Sequence, residues 1–240
     1  MPCHSLRYLW HSLCDLFFPP LCAGCKAPLD EAQALVCDTC LAALERTEHA
    51  TKRGNKLEQM FSDIPKVVQC IAFCYYKHDS VIRQIIHCMK YDNMPQLGRW
   101  LGKLSATEIL RDNPEWFKEV DVIVPVPLHP RKLRQRGYNQ SEEIARAVGE
   151  VIGKPVNTAC LKKVRANESQ THKTIEERRE NTRNVFVLEH GEQLRGKRVL
   201  LIDDIATTGS TLRDCIRCIH PLRLTTIQVL VMGLSTTAAQ

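Results

Sequence analysis

The sequence of 240 residues lacks any run of about 18 apolar residues, so it predicts no helix that crosses a membrane. The first 20 residues place apolar side chains at helical spacing, but His4, Arg7, His11 and Asp15 interrupt the apolar core that a signal peptide needs. We therefore expect a short amphipathic helix that packs on its own protein, and a cytoplasmic location.

Aromatic residues are also scarce, at 6% of the chain. The sequence therefore shows no evident set of aromatic side chains on which bases could stack, as dedicated single-stranded DNA-binding proteins have. With 44% hydrophobic and 25% charged residues, the composition gives no sign of disorder and fits one globular domain with a smaller appendage. The net charge of +6 is mild, and it favours an acidic or phosphorylated ligand over a neutral one.

The chain has twelve cysteines and no secretory signal, which is typical of thiols that bind metal or lie buried in a reducing cytosol. Cys22, Cys25, Cys37 and Cys40 form two C-x2-C pairs separated by eleven residues, a short version of the four-thiolate zinc pattern. We predict one structural Zn²⁺ that stabilises a segment too short to bury much of a core; free or disulfide-linked cysteines are the alternative. The helix, this zinc module and a polar linker would occupy residues 1–55, and a larger domain residues 56–240.

Apolar patterning in the larger domain alternates between strand and helix periods. The pattern predicts strands near residues 67–76, 120–127, 160–164, 185–188, 199–203 and 226–233, and helices near 81–89, 97–109, 144–151 and 210–219. Such alternation is typical of an α/β protein with a doubly wound, mostly parallel sheet.

The most informative segment joins a predicted buried strand to a helix start. Asp203 and Asp204 end the strand at the sheet edge where open α/β sheets bind ligands. The turn that follows offers hydroxyl groups and backbone N–H groups at a helix N-terminus, as an anion site does, through Thr207, Thr208, Gly209, Ser210 and Thr211. Carboxylates beside such a turn suit a ligand with hydroxyls and a phosphate, such as ribose 5-phosphate. The alternative is an ordinary turn whose Asp and Thr residues only cap the helix.

Two basic stretches could add to this site. One is a predicted loop after the strand ending near Val126, and its candidate diphosphate-binding residues are Pro127, Leu128, His129, Arg131, Lys132 and Arg136. A solvated charged connector is the alternative for this stretch. The other, residues 162–183, contains Arg165 and is long and polar, as lids and binding loops are.

The segment from Val199 to Leu212 closely resembles the phosphoribosyl pyrophosphate (PRPP) motif of type I phosphoribosyltransferases. With the paired cysteines, the proline-rich residues 124–130, the Arg-Gly-Tyr-Asn-Gln run at 136–140 and the loop at 170–181, the whole chain resembles the ComF (ComFC/GntX) family. That resemblance implies a type I phosphoribosyltransferase fold, links to natural competence and imported DNA, and a reaction that is not established. It also implies that Asp203 and Asp204 hold the ribose 2′- and 3′-hydroxyls with Mg²⁺, and that residues 207–211 wrap the 5′-phosphate.

Two positions depart from related patterns. Thr207 stands where enzymes of 6-oxopurines typically carry an Asp, and threonine cannot act as a general base near neutral pH. Lys173 stands where many relatives have a leucine, which puts the apolar anchor of the lid in doubt. We expect a PRPP-binding, phosphoribosyltransferase-like protein of competence, DNA uptake or nucleotide metabolism. The alternative is a non-catalytic single-stranded-DNA-handling module that keeps PRPP or phosphate binding as a sensor.

Overall fold

The computed structural model describes residues 19–30, 35–165 and 185–235. The helix predicted for the first 20 residues and most of the predicted lid, including Lys173, lie outside the described residues.

In the described part of the chain, the central sheet contains four parallel strands, β1 (Val67–Tyr76), β2 (Val122–Pro125), β5 (Arg198–Ala206) and β6 (Thr226–Ser235). Their order across the sheet is β1-β6-β5-β2. The inner strands are almost continuously apolar and buried, because helices cover both faces of the sheet. The predicted doubly wound, mostly parallel sheet is confirmed.

The helices of one face are α3 (Val81–Tyr91), α4 (Pro95–Asp112) and α6 (Gln140–Ile152). Helices α4 and α6 pack closely, since a Cβ atom at Gly102 would lie 2.6 Å from the carbonyl oxygen of Ile144. Helix α7 (Ser210–Ile219) and the short α2 (Lys56–Gln59) cover the other face. The helices predicted in these regions are present, and the sheet lies between two apolar cores.

Two predicted strands do not join the central sheet. β3 (Leu161–Lys163) and β4 (Phe186–Leu188) pair antiparallel with each other, and the pair forms a separate sheet. Only one side of this pair can be buried, because Leu161 and Phe186 are buried while Lys162 is exposed. Short one-sided strands of this kind cannot fill the interior of a two-sided parallel sheet.

The cysteine-containing segment with α1 (Asp38–Ala42) packs against α3, and Cys22 and Cys40 belong to the same apolar core as Ile85. The residues after it, predicted as a linker, lie along the free edge of β1. There the N–H of Thr47 donates to Phe73 O (2.9 Å) and the N–H of Tyr75 donates to Glu45 O (2.8 Å). The division of the chain at residue 55 stays a prediction. Among the described residues, no helix is long and apolar enough to span a membrane.

Candidate phosphate and carboxylate site

A crevice opens where β2 and β5 separate. The last paired residues of these strands are Pro125 and Ile202. One further hydrogen bond, from Val126 N to Ile202 O (2.8 Å), lies beyond them. β5 continues beside β6 as far as Ala206, three residues beyond its predicted end. Asp203 and Asp204 therefore lie on a strand segment that β2 no longer borders, at the carboxyl edge of the sheet.

Asp203 is the buried member of the acid pair, with 8% of its surface exposed. Its Oδ1 accepts hydrogen bonds from Ser141 Oγ (2.8 Å) and from the N–H of Asp204 (2.9 Å). Burial and the neighbouring Asp204 charge raise the pKa of Asp203 to about 7, although these hydrogen bonds and Lys90 favour the ionised form. The site thus holds a carboxylate at a cost in folding free energy.

Asp204 pairs with a residue that the sequence reasoning missed. Lys90, near the C-terminal end of α3, places its Nζ 2.8 Å from Asp204 Oδ2, and both side chains are mostly buried. Burial lowers the pKa of Lys90, but the Asp204 charge outweighs it and the net shift is upward. The sequence signal was weak: a lysine that follows the last buried residues of an amphipathic helix.

The turn after β5 has the form predicted for an anion site. Gly209 adopts the left-handed conformation with φ of +74° and begins α7, while Thr207, Thr208 and Ser210 are exposed. Thr207, Gly209, Ser210 and Thr211 line a small depression at the helix N-terminus. A Cβ atom at Gly209 would lie 3.3 Å from Phe61 and 3.4 Å from Met60, so both the conformation and the space favour glycine.

The basic stretch after β2 was predicted as a loop, and this was wrong, because residues Pro130–Arg136 form helix α5. Pro130 occupies its first turn, His129 Nδ1 caps it by accepting from Arg131 N (3.2 Å), and Gly137 (φ +79°) ends it. Its residues, among them Lys132, are exposed except for the half-buried Arg136. Pro130 and Gly137 are ordinary helix start and stop signals, but the many charges between them are also typical of a loop.

The predicted diphosphate-binding residues converge only in part. Arg136 lies close enough to Lys90 to repel its charge, and Lys163 of β3 lies close enough to attract Asp203 and repel Lys132. Pro127, Leu128 and His129 are half-buried at the start of α5, whereas Arg131 and Arg165 are exposed.

The residues after α5 connect it to the neighbouring elements. Arg136 donates to Gln140 Oε1 (3.0 Å), and Asn139 Nδ2 donates to Val126 O (3.0 Å). Tyr138 OH and Gln140 Nε2 both donate to Met89 O at the end of α3. This network fixes the residue before Lys90 and the start of α6, which carries Ser141.

The four paired cysteines come together as predicted, with all four sulfur atoms within 4.8 Å of one another. Cys25 Sγ and Cys37 Sγ are 3.8 Å apart, the spacing expected for a tetrahedron of Zn–S bonds of about 2.3 Å. Burial raises the pKa of Cys22, but the N–H groups of Cys37, Cys25 and Gly24 outweigh it and lower that pKa to about 6. The cluster could hold a metal ion, and its donors fit zinc.

Comparison with known proteins is consistent with this geometry. Residues 107–233, more than half of the chain, match the family model described as the phosphoribosyl transferase domain. Competence protein F of Haemophilus influenzae is 26% identical over 223 residues, which cover 89% of this chain and 96% of that protein. The DNA utilization protein YhgH of Salmonella typhimurium is 25% identical over the same shares.

A shorter similarity, 29% identity over 98 residues, relates 41% of this chain to 38% of the competence protein ComFC of Bacillus subtilis. The family model spans β2, β5 with its acid pair, and the glycine turn that leads into α7. The chain thus belongs to the phosphoribosyl transferase domain family, and over most of its length it is homologous to Competence protein F and YhgH.

Proposed function

We propose that the protein binds PRPP or ribose 5-phosphate, together with Mg²⁺, at the crevice between β2 and β5. One observation carries the proposal: a mostly buried acid pair lies on the uncovered end of β5, and its second member, Asp204, is five residues before the left-handed Gly209 that precedes α7. Hydroxyl-binding carboxylates and a phosphate-binding helix start are thereby adjacent, as a sugar phosphate requires.

The carboxylates, the turn and the cations would each bind a different part of the ligand. Asp203 and Asp204 would accept hydrogen bonds from the 2′- and 3′-hydroxyls, and the N–H groups of residues 208–211 would bind the 5′-phosphate. Arg136 lies near Lys90, and Lys163 lies near Asp203 and Lys132, so these three cations would supply positive charge for a 1-diphosphate. The carboxylate oxygens are hard ligands that suit Mg²⁺, which when bound would neutralise charge on the diphosphate.

If the protein is a transferase, the C1–O bond to the diphosphate breaks, the diphosphate leaves with the electron pair, and an acceptor forms the new bond to C1. The protein would stabilise the departing charge with its cations. Thr207 supplies no base to deprotonate the acceptor. An acceptor that is nucleophilic without such a base therefore suits the site better than a 6-oxopurine.

Calorimetry tests the binding step. Wild type should bind PRPP with Mg²⁺, and the double variant D203N/D204N should bind it at least about 100-fold more weakly, because it loses charge-assisted hydrogen bonds to two hydroxyls. The variant D112N, which changes an exposed carboxylate at the end of α4, is the control and should bind like wild type. Equal affinity of wild type and the double variant would contradict the assignment.

Turnover separates an enzyme from a sensor. Incubation with PRPP, Mg²⁺ and a panel of bases should release diphosphate only if the protein is a phosphoribosyltransferase. Binding without release for every acceptor would favour the non-catalytic alternative.

The names of the relatives suggest a role in competence or DNA utilization, and one feature supports contact with single-stranded DNA. Helix α5 has no buried residue and exposes Arg131, Lys132 and Arg134 near the candidate site. We expect weak, sequence-independent binding that falls steeply with salt. Fluorescence anisotropy of a labelled oligonucleotide at two salt concentrations, with and without excess PRPP, tests this. Indifference to salt would exclude a phosphate-driven mechanism, and indifference to PRPP would place the DNA surface elsewhere.

A further inference from the structure

The Lys90–Asp204 ion pair lies inside the proposed sugar-phosphate site, and it connects two distant parts of the chain. Lys90 Nζ is 2.8 Å from Asp204 Oδ2, and the exposed fractions of the two side chains are 20% and 14%. A charged carboxylate that is mostly buried is costly unless a cation lies nearby. For Asp204 this cation is the ammonium group of Lys90, which belongs to the protein itself.

The lysine is held in this position by the main chain. Met89 O, one residue earlier, accepts from Tyr138 OH and from Gln140 Nε2 (3.3 Å). These contacts fix the end of α3 against the residues that lead into α6. Because the backbone is fixed and the side chain is mostly buried, the ammonium group remains near Asp204 without a bound ligand.

The same carboxylate is the one that a divalent metal ion would use. Mg²⁺ binds carboxylate oxygens at about 2.1 Å, so an ion on Asp204 Oδ2 would come within about 5 Å of an ammonium group that stays on the same oxygen. Two cations this close in a largely buried crevice repel strongly, and Arg136 adds further positive charge.

We propose that Lys90 is a built-in cation that takes the place of a divalent metal ion at Asp204, so that Lys90 and the metal compete for this carboxylate. This inference deepens the proposed function and rests on it for the ligand. In the free protein the ion pair with Lys90 holds Asp204 in position, so the ribose hydroxyls can bind without metal. A divalent ion enters only when the phosphates of the ligand supply the additional negative charge.

Metal binding to the protein without any nucleotide tests the competition directly. Mn²⁺ serves as a probe for Mg²⁺ and is titrated into the zinc-loaded full chain, with electron paramagnetic resonance reporting free Mn²⁺. We expect the K90M variant to bind Mn²⁺ at least about ten-fold more tightly than wild type, because a nearby positive charge is gone. The gain should disappear in K90M/D204N. K103M is the matched control, since Lys103 pairs with Glu150 on the surface, and it should bind like wild type.

Equal Mn²⁺ affinity of K90M and wild type would overturn the inference, as would a gain that survives the loss of Asp204. A purely structural ion pair would change thermal stability in K90M but not this competition. If K90M does not fold, K90Q retains a neutral hydrogen-bond donor to Asp204 and should show the same gain, whereas K90R should behave like wild type.

A ligand titration separates this inference from the proposed function. With the zinc-loaded full chain, ribose 5-phosphate should bind wild type with similar affinity without added divalent ion and with Mg²⁺, and K90M should lose affinity about ten-fold without Mg²⁺ but less with it. If ribose 5-phosphate and PRPP bind under neither condition, the proposed function fails, and the Mn²⁺ result still decides whether Lys90 and metal compete.

Discussion

Replacing Asp203 with asparagine should stabilise the protein while it removes a proposed ligand-binding group. Both hydrogen bonds to this side chain, from Ser141 Oγ and from the N–H of Asp204, end on the single atom Oδ1. An asparagine can present its amide oxygen at that position and keep both contacts. The substitution therefore removes the buried negative charge and changes little else in the crevice.

The magnitude follows from the raised pKa of Asp203, which is about 7 in the folded protein. The folded protein holds this proton to a higher pH than the unfolded chain does, so the carboxyl group lowers stability progressively as the pH rises from about 4 to about 7. Lys90 and the two hydrogen bonds offset part of the burial cost. We expect D203N to raise the free energy of unfolding by about 2 kcal/mol at pH 8, and by much less at pH 4.

The assay is urea unfolding at pH 8 and pH 4, followed by circular dichroism, without added divalent cation and with the cysteine cluster zinc-loaded. D204N is the matched comparison and should have the opposite effect, a loss of about 1–3 kcal/mol, because it leaves the mostly buried Lys90 without its partner. If D203N were destabilised at pH 8 as strongly as D204N, Asp203 would not carry the buried charge described above.

Other predictions concern the metal, the turn and the opposite edge of the sheet. Purified wild type should contain one Zn²⁺ per chain, and C37S should lose most of it, whereas C218S should retain it; equal zinc in wild type and C37S would contradict the four-thiolate site. G209A should lose about 1 kcal/mol of stability and also affinity for ribose 5-phosphate. Gly196 also has a positive φ, of +69°, but a Cβ atom added there would have no neighbour within 4 Å, so G196A should lose stability alone. Hydrogen bonds from Arg198 lower the pKa of Asp121 to about 2, so this carboxylate stabilises the fold above about pH 4 and the contribution is lost as the pH falls toward 2. D121N should therefore cost about 1–2 kcal/mol in urea unfolding at pH 7 but little at pH 2, and an equal loss at both values would refute this assignment.

Much of the fold and part of the site could be predicted because their signals are local. Asp203, Asp204 and the turn at residues 207–211 are contiguous, and a parallel βα unit necessarily places them at the carboxyl edge of the sheet. The paired cysteines needed only their spacing.

The remaining features depend on contacts between distant residues. Lys90 meets Asp204 where Tyr138 and Gln140 fix the end of α3, and the weak local signal at Lys90 does not indicate a partner so distant in the sequence. Apolar periodicity predicted β3 and β4 as strands but could not predict that they pair with each other outside the main sheet. The prediction of a loop at α5 was wrong for a different reason. Pro130 and Gly137 are local start and stop signals of a helix, but the charges between them are typical of a solvated loop.

A crystal structure of the protein with ribose 5-phosphate would show directly whether the β2–β5 crevice binds a sugar phosphate. The 5′-phosphate should lie within hydrogen-bond distance of the backbone N–H groups of residues 208–211, at the start of α7. The 2′- and 3′-hydroxyls should contact the carboxylates of Asp203 and Asp204. A sugar phosphate bound elsewhere, for example along the exposed basic side chains of α5, with the β2–β5 crevice empty, would contradict this assignment.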